Sequence, residues 1–172
     1  KDLLSGSNAT WKLVGTGYNV LAVRLADRDT PERRAAEPDL VANAGDYYPN
    51  EAFDDYQVER RELMRFLVDE CVEDVVFIAG HTHVFLGGRL YPDYDDDASP
   101  LAAHEFVAGS LTADPPPEGV VESLLGQSVS RAEAIEVLRG IETAGLDINA
   151  HLDYINIVDQ GYGLVDVTPD EV

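Results

Sequence analysis

Residues 75–83 read VVFIAGHTH, a run of five apolar residues that leads directly into Gly-His-Thr-His. A short apolar run that ends at a glycine is typical of a strand buried on both faces of a sheet. Because Gly80 lets the backbone turn tightly, the two histidines are expected in a loop at the end of that strand. In extended backbone His81 and His83 would point to the same side and could bind neighbouring metal ions.

The histidine pair also has a simpler interpretation. A His-x-His motif is short and occurs often by chance, so His81 and His83 could equally be surface histidines that bind nothing. If they bind metal, their imidazole nitrogens favour Zn, Fe or Mn, since Ca prefers oxygen ligands. The residues alone leave both interpretations open.

Strands are predicted on both sides of this stretch. β-Branched and aromatic residues, interrupted by glycines, indicate one or two strands in residues 11–25, and further strands are predicted at 85–90 and around 104–108. Residues 152–158 and 163–167 are predicted to form a hairpin across the turn DQGYG. The histidine loop is therefore expected to border a sheet.

A helix and a lid are predicted between the first two strands. Apolar residues recur near helical spacing in residues 54–70, with Asp54 or Asp55 available as N-cap. Residues 26–50 are charged, contain proline and lack a sustained period, which predicts an excursion or lid over the fold.

A second helix is predicted near the C-terminus. Ser130 and Glu133 have the spacing of a capping box for a helix through Ile141. Gly145 is expected to end this helix near its C-cap.

The composition describes one acidic domain. The chain has 172 residues, 45% of them hydrophobic, and a formal charge of −21 from 33 acidic and 12 basic residues. Such a chain repels a phosphate backbone, which argues against nucleic acid as a partner. Acidity this strong, with Lys1 and Lys12 the only lysines, predicts a surface adapted to high salt, where screening removes most self-repulsion. No apolar run approaches ~20 residues, so no membrane span is predicted.

An aspartate-rich stretch has the partial pattern of a calcium loop. Asp93, Asp95 and Asp97 have the required spacing, but Ala98 and His104 stand where Gly and Glu are needed. A solvated acidic turn is the better interpretation.

Three further residues are candidate members of a site. His104 and His151 lie near strand edges and could be further ligands, although such histidines are more often structural. Glu105 could orient a metal-bound histidine by hydrogen bonding, a role that ligating imidazoles commonly need. Cys71, the single cysteine, cannot form an intrachain disulfide and is predicted to be an inert core residue.

The whole chain resembles the PhoD-like alkaline phosphatases, within the calcineurin-like metallophosphoesterase superfamily. The order and spacing of five segments agree with the family's motifs, including its GD-x-H strand end and its EFV-x-x-S-x-x-S/D segment. The five segments are LLSGSNATWKLVG (3–15), NEAFDDYQVERRELMRFL (50–67), VVFIAGHTHVF (75–85), HEFVAGSLTAD (104–114) and INAHLDYINIVDQGYGLVDVTPDEV (148–172).

The resemblance implies an α/β fold in which residues 1–172 form the C-terminal half of a four-layer α-β-β-α sandwich with mixed sheets. It implies that His83 binds the first of two metal ions and His81 the second. PhoD-like proteins usually carry Asp where this chain has His81, which favours a transition metal (Fe, Zn or Mn), with Ca as a further option. Asp54 and Tyr56 match a block near the family's active-site mouth and are candidate substrate-pocket residues, with an N-cap and a packing tyrosine as the alternative.

The implied function is hydrolysis of a phosphate ester substrate by hydroxide that two metal ions activate. The superfamily also uses Asp and Asn ligands from motifs in its N-terminal half, and this sequence contains none of those motifs. We therefore expect a missing N-terminal segment of the same protein as a partner, and an inactive chain without it. The family is typically exported, so a secreted or extracytoplasmic location is expected. The alternative is a non-catalytic acidic domain that binds a partner or cations on a phosphatase scaffold.

The charge predicts that salt stabilises the fold. We expect the melting temperature to rise by several degrees between about 0.1 M and about 2 M KCl, because screening weakens repulsion among the carboxylates. Scanning calorimetry measures this, with sucrose at matched osmolality as the uncharged control. A melting temperature that stays flat or falls in KCl would contradict a high-salt adaptation.

Overall fold

The structure is a computed structural model that describes residues 1–24, 53–113 and 117–172. The predicted lid, residues 26–50, lies outside the described residues. The described elements are helices α1 (Asp2–Ser5), α2 (Gln57–Asp69), α3 (Pro117–Leu125) and α4 (Arg131–Ile148), a turn of 3-10 helix (Phe53–Tyr56), and strands β1 (Lys12–Gly15), β2 (Val75–Ala79), β3 (Phe85–Leu90), β4 (Ala103–Val107) and β5 (Leu152–Asn156).

One mixed sheet of five strands, in the order β1-β2-β4-β3-β5, organises these elements. β1, β2 and β4 run parallel, and β3 is antiparallel to β4 and to β5. β2 pairs on both sides, and four of its five residues are buried, as its apolar run predicted. The bounds of β2 and β3 confirm the predicted strands, whereas the third predicted strand lies one residue earlier, at Ala103–Val107.

The core lies between one face of the sheet and helix α2. Met64 and Leu67 of α2 are 0% and 1% exposed, and they pack in one cluster with Phe77 and Val107 of the sheet. Leu21, in the segment after β1, belongs to the same cluster. Because burial of a large apolar side chain contributes about 1.5–3 kcal/mol, this contact is the main attachment of α2 to the sheet.

The opposite face of the sheet carries exposed apolar side chains. Strand register places Leu13, Phe106 and Tyr154 on this face, where they are 48%, 44% and 51% exposed. None of the three belongs to the core cluster under α2. The described residues therefore leave apolar surface on this face that the core does not bury.

Helix α2 begins later than predicted. The 3-10 turn places Tyr56 at the N-cap position, without a side-chain hydrogen bond, so the prediction of Asp54 or Asp55 as N-cap is wrong. The reason is that the aspartates lie within the 3-10 turn, two and three residues before the helix starts at Gln57.

Helix α4 confirms its predicted start but not its predicted end. Ser130 Oγ accepts from the backbone N–H of Glu133, and the Glu133 carboxylate accepts from the N–H of Ser130, which is the predicted capping box. The helix continues through Gly145 to Ile148 because Asn149, and not Gly145, provides its C-cap.

Asn149 ends α4 by bonding to a distant segment. Its Nδ2 donates to the carbonyls of Gly145 (2.8 Å) and Arg24 (3.0 Å), and its Oδ1 accepts from the N–H of Arg24 (2.8 Å). Asn149 is fully buried, so these bonds satisfy an amide that water cannot reach. A local sequence pattern does not contain this long-range contact.

The predicted C-terminal hairpin is wrong. Only residues 152–156 form a strand, and residues 163–167 do not. Asn156 Oδ1 accepts from the N–H groups of Val158 and Asp159 and turns the chain directly after β5. β5 therefore pairs with β3 and not with the segment that follows it.

Cys71 is exposed, which corrects the prediction of a core cysteine. It lies in the turn after α2 with φ +52°, and its N–H donates to the carbonyl of Val68. The turn directs the side chain to solvent, and Val72 enters the core instead.

His151 is a buried structural histidine, as its sequence context favoured. Its Nε2 lies 2.7 Å from the carbonyl oxygen of Ala22 and joins the turn before β5 to the segment after β1. Burial lowers the pKa of His151 to about 4, and Arg24, Arg60 and Arg89 act in the same direction. The folded protein therefore holds this imidazole neutral over most of the accessible pH range.

This pKa predicts a specific acid sensitivity. The unfolded chain takes up a proton at His151 near its ordinary pKa of about 6.5, whereas the folded chain takes it up only near 4. The contribution of His151 to the free energy of unfolding should therefore be constant above about pH 6.5. It should fall by about 3 kcal/mol between pH 6.5 and pH 4. Urea denaturation should show a shallower acid slope for His151→Gln than for the wild type.

His104→Gln is the matched control for this experiment, because His104 is exposed. It should retain the wild-type acid slope. An unchanged slope in His151→Gln would show that the buried imidazole is not the group responsible.

Candidate metal-binding site

The histidine loop lies where the exits of three parallel strands meet. The N–H of Thr16, directly after β1, donates to the carbonyl of Ile78 at 3.0 Å. The N–H of Ala108, directly after β4, donates to the carbonyl of Ala79 at 2.9 Å. The loop of residues 80–83 is therefore flanked by both neighbouring strand exits, at the carboxyl edge where open α/β sheets usually bind ligands.

Both histidines have left-handed backbone. His81 has φ +73°, and the N–H of Thr82 donates to the carbonyl of Gly80 at 2.9 Å across it, which makes a γ-turn. His83 has φ +60°. The expectation of an extended His-Thr-His segment is therefore wrong, because the chain must turn as soon as β2 ends.

This backbone stores strain at the two candidate ligands. A left-handed residue other than glycine costs of the order of 1–2 kcal/mol, and such residues concentrate at functional sites. Both imidazoles are exposed, whereas Thr82 between them is half-buried. The hydroxyl of Thr82 is buried and finds no hydrogen-bond partner in the described part of the chain.

The segment after β1 supplies an aromatic neighbour for His81. The rings of Tyr18 and His81 pack edge to face, with centroids 4.5 Å apart and planes at 68°. Sequence reasoning did not single out Tyr18. The signal that could have found it is its place just beyond a strand parallel to β2, since such strand exits meet at one edge of the sheet.

Glu105 is a fully buried carboxylate that binds backbone. Its two oxygens accept from the N–H of Val20 at 2.9 and 2.8 Å, and one of them also accepts from the N–H of Leu21. Glu105 thereby fixes the segment that carries Tyr18. Its suggested role of orienting a metal-bound histidine stays a prediction.

The two candidate pocket residues lie on the 3-10 turn beside this segment. The N–H of Phe53 donates to the carbonyl of Asn19 at 3.3 Å, which brings the turn to the exit of β1. Tyr56 is 58% exposed, and the side chain of Asp54 lies outside what the structure describes. A role for Asp54 and Tyr56 in substrate binding stays a prediction.

The remaining candidates lie away from the histidine loop. His104 is exposed near the start of β4, at the opposite end of the sheet. In the acidic turn, Asp93 accepts from the N–H of Asp95, and Asp95 accepts from the guanidinium of Arg24 at 2.6 Å. Part of this turn is therefore tied to the fold by an ion pair.

The described residues supply only part of a metal site. Within residues 1–24, 53–113 and 117–172, no group of three or more His, Cys, Asp or Glu side chains could hold a metal ion by itself. The nitrogen donors of His81 and His83 suit a transition metal, but zinc alone wants about four ligands. The two imidazoles therefore suit a transition metal chemically, but they are too few to complete its coordination.

The fold and this loop define an α/β protein with candidate metal ligands at the carboxyl edge of a partly parallel sheet. The sequence profile of the PhoD-like phosphatases matches residues 1–172, and the chain belongs to this family. No curated protein matches the chain.

A solved structure titled "Structure of PhoD" has a similar fold, with a TM-score of 0.62 and 17% sequence identity. The similarity covers 92% of this chain and 24% of that one, so this chain spans about a quarter of that protein's length. In the described ranges, no helix combines the length and the apolar character needed to cross a membrane.

The strained turn predicts an unusual response to glycine. His81→Gly should be more stable than His81→Ala by about 1 kcal/mol, because glycine adopts φ +73° without the Cβ clash. Urea denaturation of both variants measures the difference.

The matched control is the same pair of substitutions at His104, in regular strand β4. There glycine should be the less stable residue by about 0.5–1 kcal/mol. If alanine were also the more stable residue at position 81, the left-handed turn would be contradicted.

Proposed function

We propose that this chain is the C-terminal half of a PhoD-like enzyme that hydrolyses phosphoric esters, and that His81 and His83 are ligands of its two-metal centre. The observation that carries the proposal is the strained presentation of both imidazoles at the end of a buried interior strand. Membership in a phosphatase family over residues 1–172 supports the reaction class. His83 would bind the first ion and His81 the second.

The metal centre supplies activated hydroxide and neutralises charge on the phosphoryl oxygens when it is bound. This chain's own contribution is to present two imidazoles from fixed backbone positions. The γ-turn after Gly80 sets the direction of His81, and the ladder of β2 with its two neighbours sets the position of the turn. Because nitrogen donors dominate here, a transition metal (Fe, Zn or Mn) is favoured, with Ca as a further option.

The incomplete donor set supports an N-terminal partner segment. Two imidazoles cannot complete two ions that each want four or more ligands. The matched solved structure is about four times as long as the part that this chain covers, which leaves room for further ligands in the longer protein. We infer that an N-terminal segment of the same protein provides them.

The open face of the sheet supports the four-layer sandwich. Leu13, Phe106 and Tyr154 expose apolar area on the face opposite α2. A sheet normally buries its apolar face against another layer, and a second sheet packs at about 10 Å. A second sheet from the N-terminal segment would cover this face and complete the α-β-β-α order, with the histidine loop at its border.

An extracytoplasmic location agrees with this function, since PhoD-like proteins are commonly extracellular. A secreted phosphatase would release phosphate from external esters. The substrate is a phosphate monoester or diester.

The test compares the chain alone with the chain co-expressed with its upstream segment. The pair should contain about two metal equivalents by elemental analysis and hydrolyse p-nitrophenyl phosphate or its bis ester, whereas the chain alone should be inactive. His81→Ala and His83→Ala should each lower activity at least about a hundredfold in the pair. Glu136→Ala, at an exposed position of α4, is the control and should keep wild-type activity.

An active pair whose activity survives both histidine substitutions would remove His81 and His83 from the metal centre. A pair without metal and without activity would favour the non-catalytic acidic domain. Either result would overturn the proposed function.

A further inference from the structure

Tyr18 contacts His81 without being a core residue. Its ring packs edge to face against the imidazole, with centroids 4.5 Å apart. Tyr18 is 40% exposed, whereas Val20 and Leu21, just beyond it, are fully buried. Val20 and Leu21 therefore anchor this segment in the core, whereas the ring of Tyr18 packs against His81.

The backbone of Tyr18 is fixed from the β1 side. The hydroxyl of Thr16 donates to the carbonyl of Tyr18 at 2.8 Å and accepts from its N–H at 3.3 Å. The N–H of Thr16 in turn donates to the carbonyl of Ile78 in β2 at 3.0 Å. The ring of Tyr18 is thus held in register with the strand that carries His81.

The backbone of Tyr18 is also fixed on its other side. The buried carboxylate of Glu105, in β4, accepts from the N–H groups of Val20 and Leu21. The carbonyl of Asn19 accepts from the N–H of Phe53. Groups from β2, β4 and the 3-10 turn therefore determine where the backbone of Tyr18 lies, and with it the point from which the ring extends.

An exposed imidazole on a turn has several rotamers available, and a packed ring beside it removes some of them. A ligand that is already oriented loses less conformational entropy when it binds a metal ion. We propose that Tyr18 is a positioning residue that orients the imidazole of His81 for a transition-metal ion. This inference rests on the proposed ligand role of His81.

The test is the affinity for Zn²⁺ of the chain paired with its upstream segment and stripped of metal, measured by titration against a chromophoric chelator. Tyr18→Ala should weaken binding about two- to tenfold, since aromatic pairs of this kind are worth that much. Tyr18→Phe keeps the ring and should bind within about twofold of the wild type. Glu136→Ala, at an exposed position of α4, is the control and should have no effect.

A double-mutant cycle separates positioning from general stability. If Tyr18 acts through His81, Tyr18→Ala should have no further effect on Zn²⁺ affinity in a His81→Ala background. Equal weakening in both backgrounds, or wild-type affinity of Tyr18→Ala, would overturn the positioning role.

NMR of the His81 side chain decides the same question without metal. The wild type and Tyr18→Phe should show contacts between the two rings and one imidazole rotamer, whereas Tyr18→Ala should show rotamer averaging. Absence of ring contacts in the wild type would overturn the proposal for Tyr18. A wild-type pair that shows the contacts but binds no Zn²⁺ would instead count against His81 as a ligand, and so against the proposed function.

Discussion

The parallel pairing of β2 with both β1 and β4 is the constraint on which the candidate site depends. Ladder bonds on both sides fix β2 along its whole length, so the chain can change direction only after Ala79. The exits of β1 and β4 bond to Ile78 and Ala79 and occupy the space on either side. The histidine loop must therefore turn at once, which explains why two non-glycine residues, His81 and His83, adopt left-handed backbone.

A buried carboxylate makes this arrangement rigid. An unpaired Glu105 would be costly at 0% exposure, but its oxygens accept backbone N–H groups from the segment after β1. His151 and Asn149 hold the same segment farther along, at Ala22 and Arg24. Three side chains, one from β4 and two from the turn between α4 and β5, thus position one irregular segment, and that segment places Tyr18 beside His81.

The sequence predicted what local patterns encode. The bounds of β2 and the capping box of α4 follow from an apolar run and from a pair of residues three apart, and both were confirmed. The end of α4 was missed because Asn149 bonds to Arg24, far away in the chain. The γ-turn at His81 and the contact of Tyr18 with His81 were missed for a related reason. Both result from the pairing of distant strands, which no local residue pattern reveals. The metal-binding role of the histidines stays a prediction.

The most direct test of the central claim is anomalous diffraction from crystals of the complete enzyme, collected at the absorption edge of the metal that elemental analysis finds. We predict two ions, with one imidazole nitrogen of His83 about 2.0–2.2 Å from the first and one of His81 at a similar distance from the second. Ions bound elsewhere, with both imidazoles beyond bonding distance, would contradict the account.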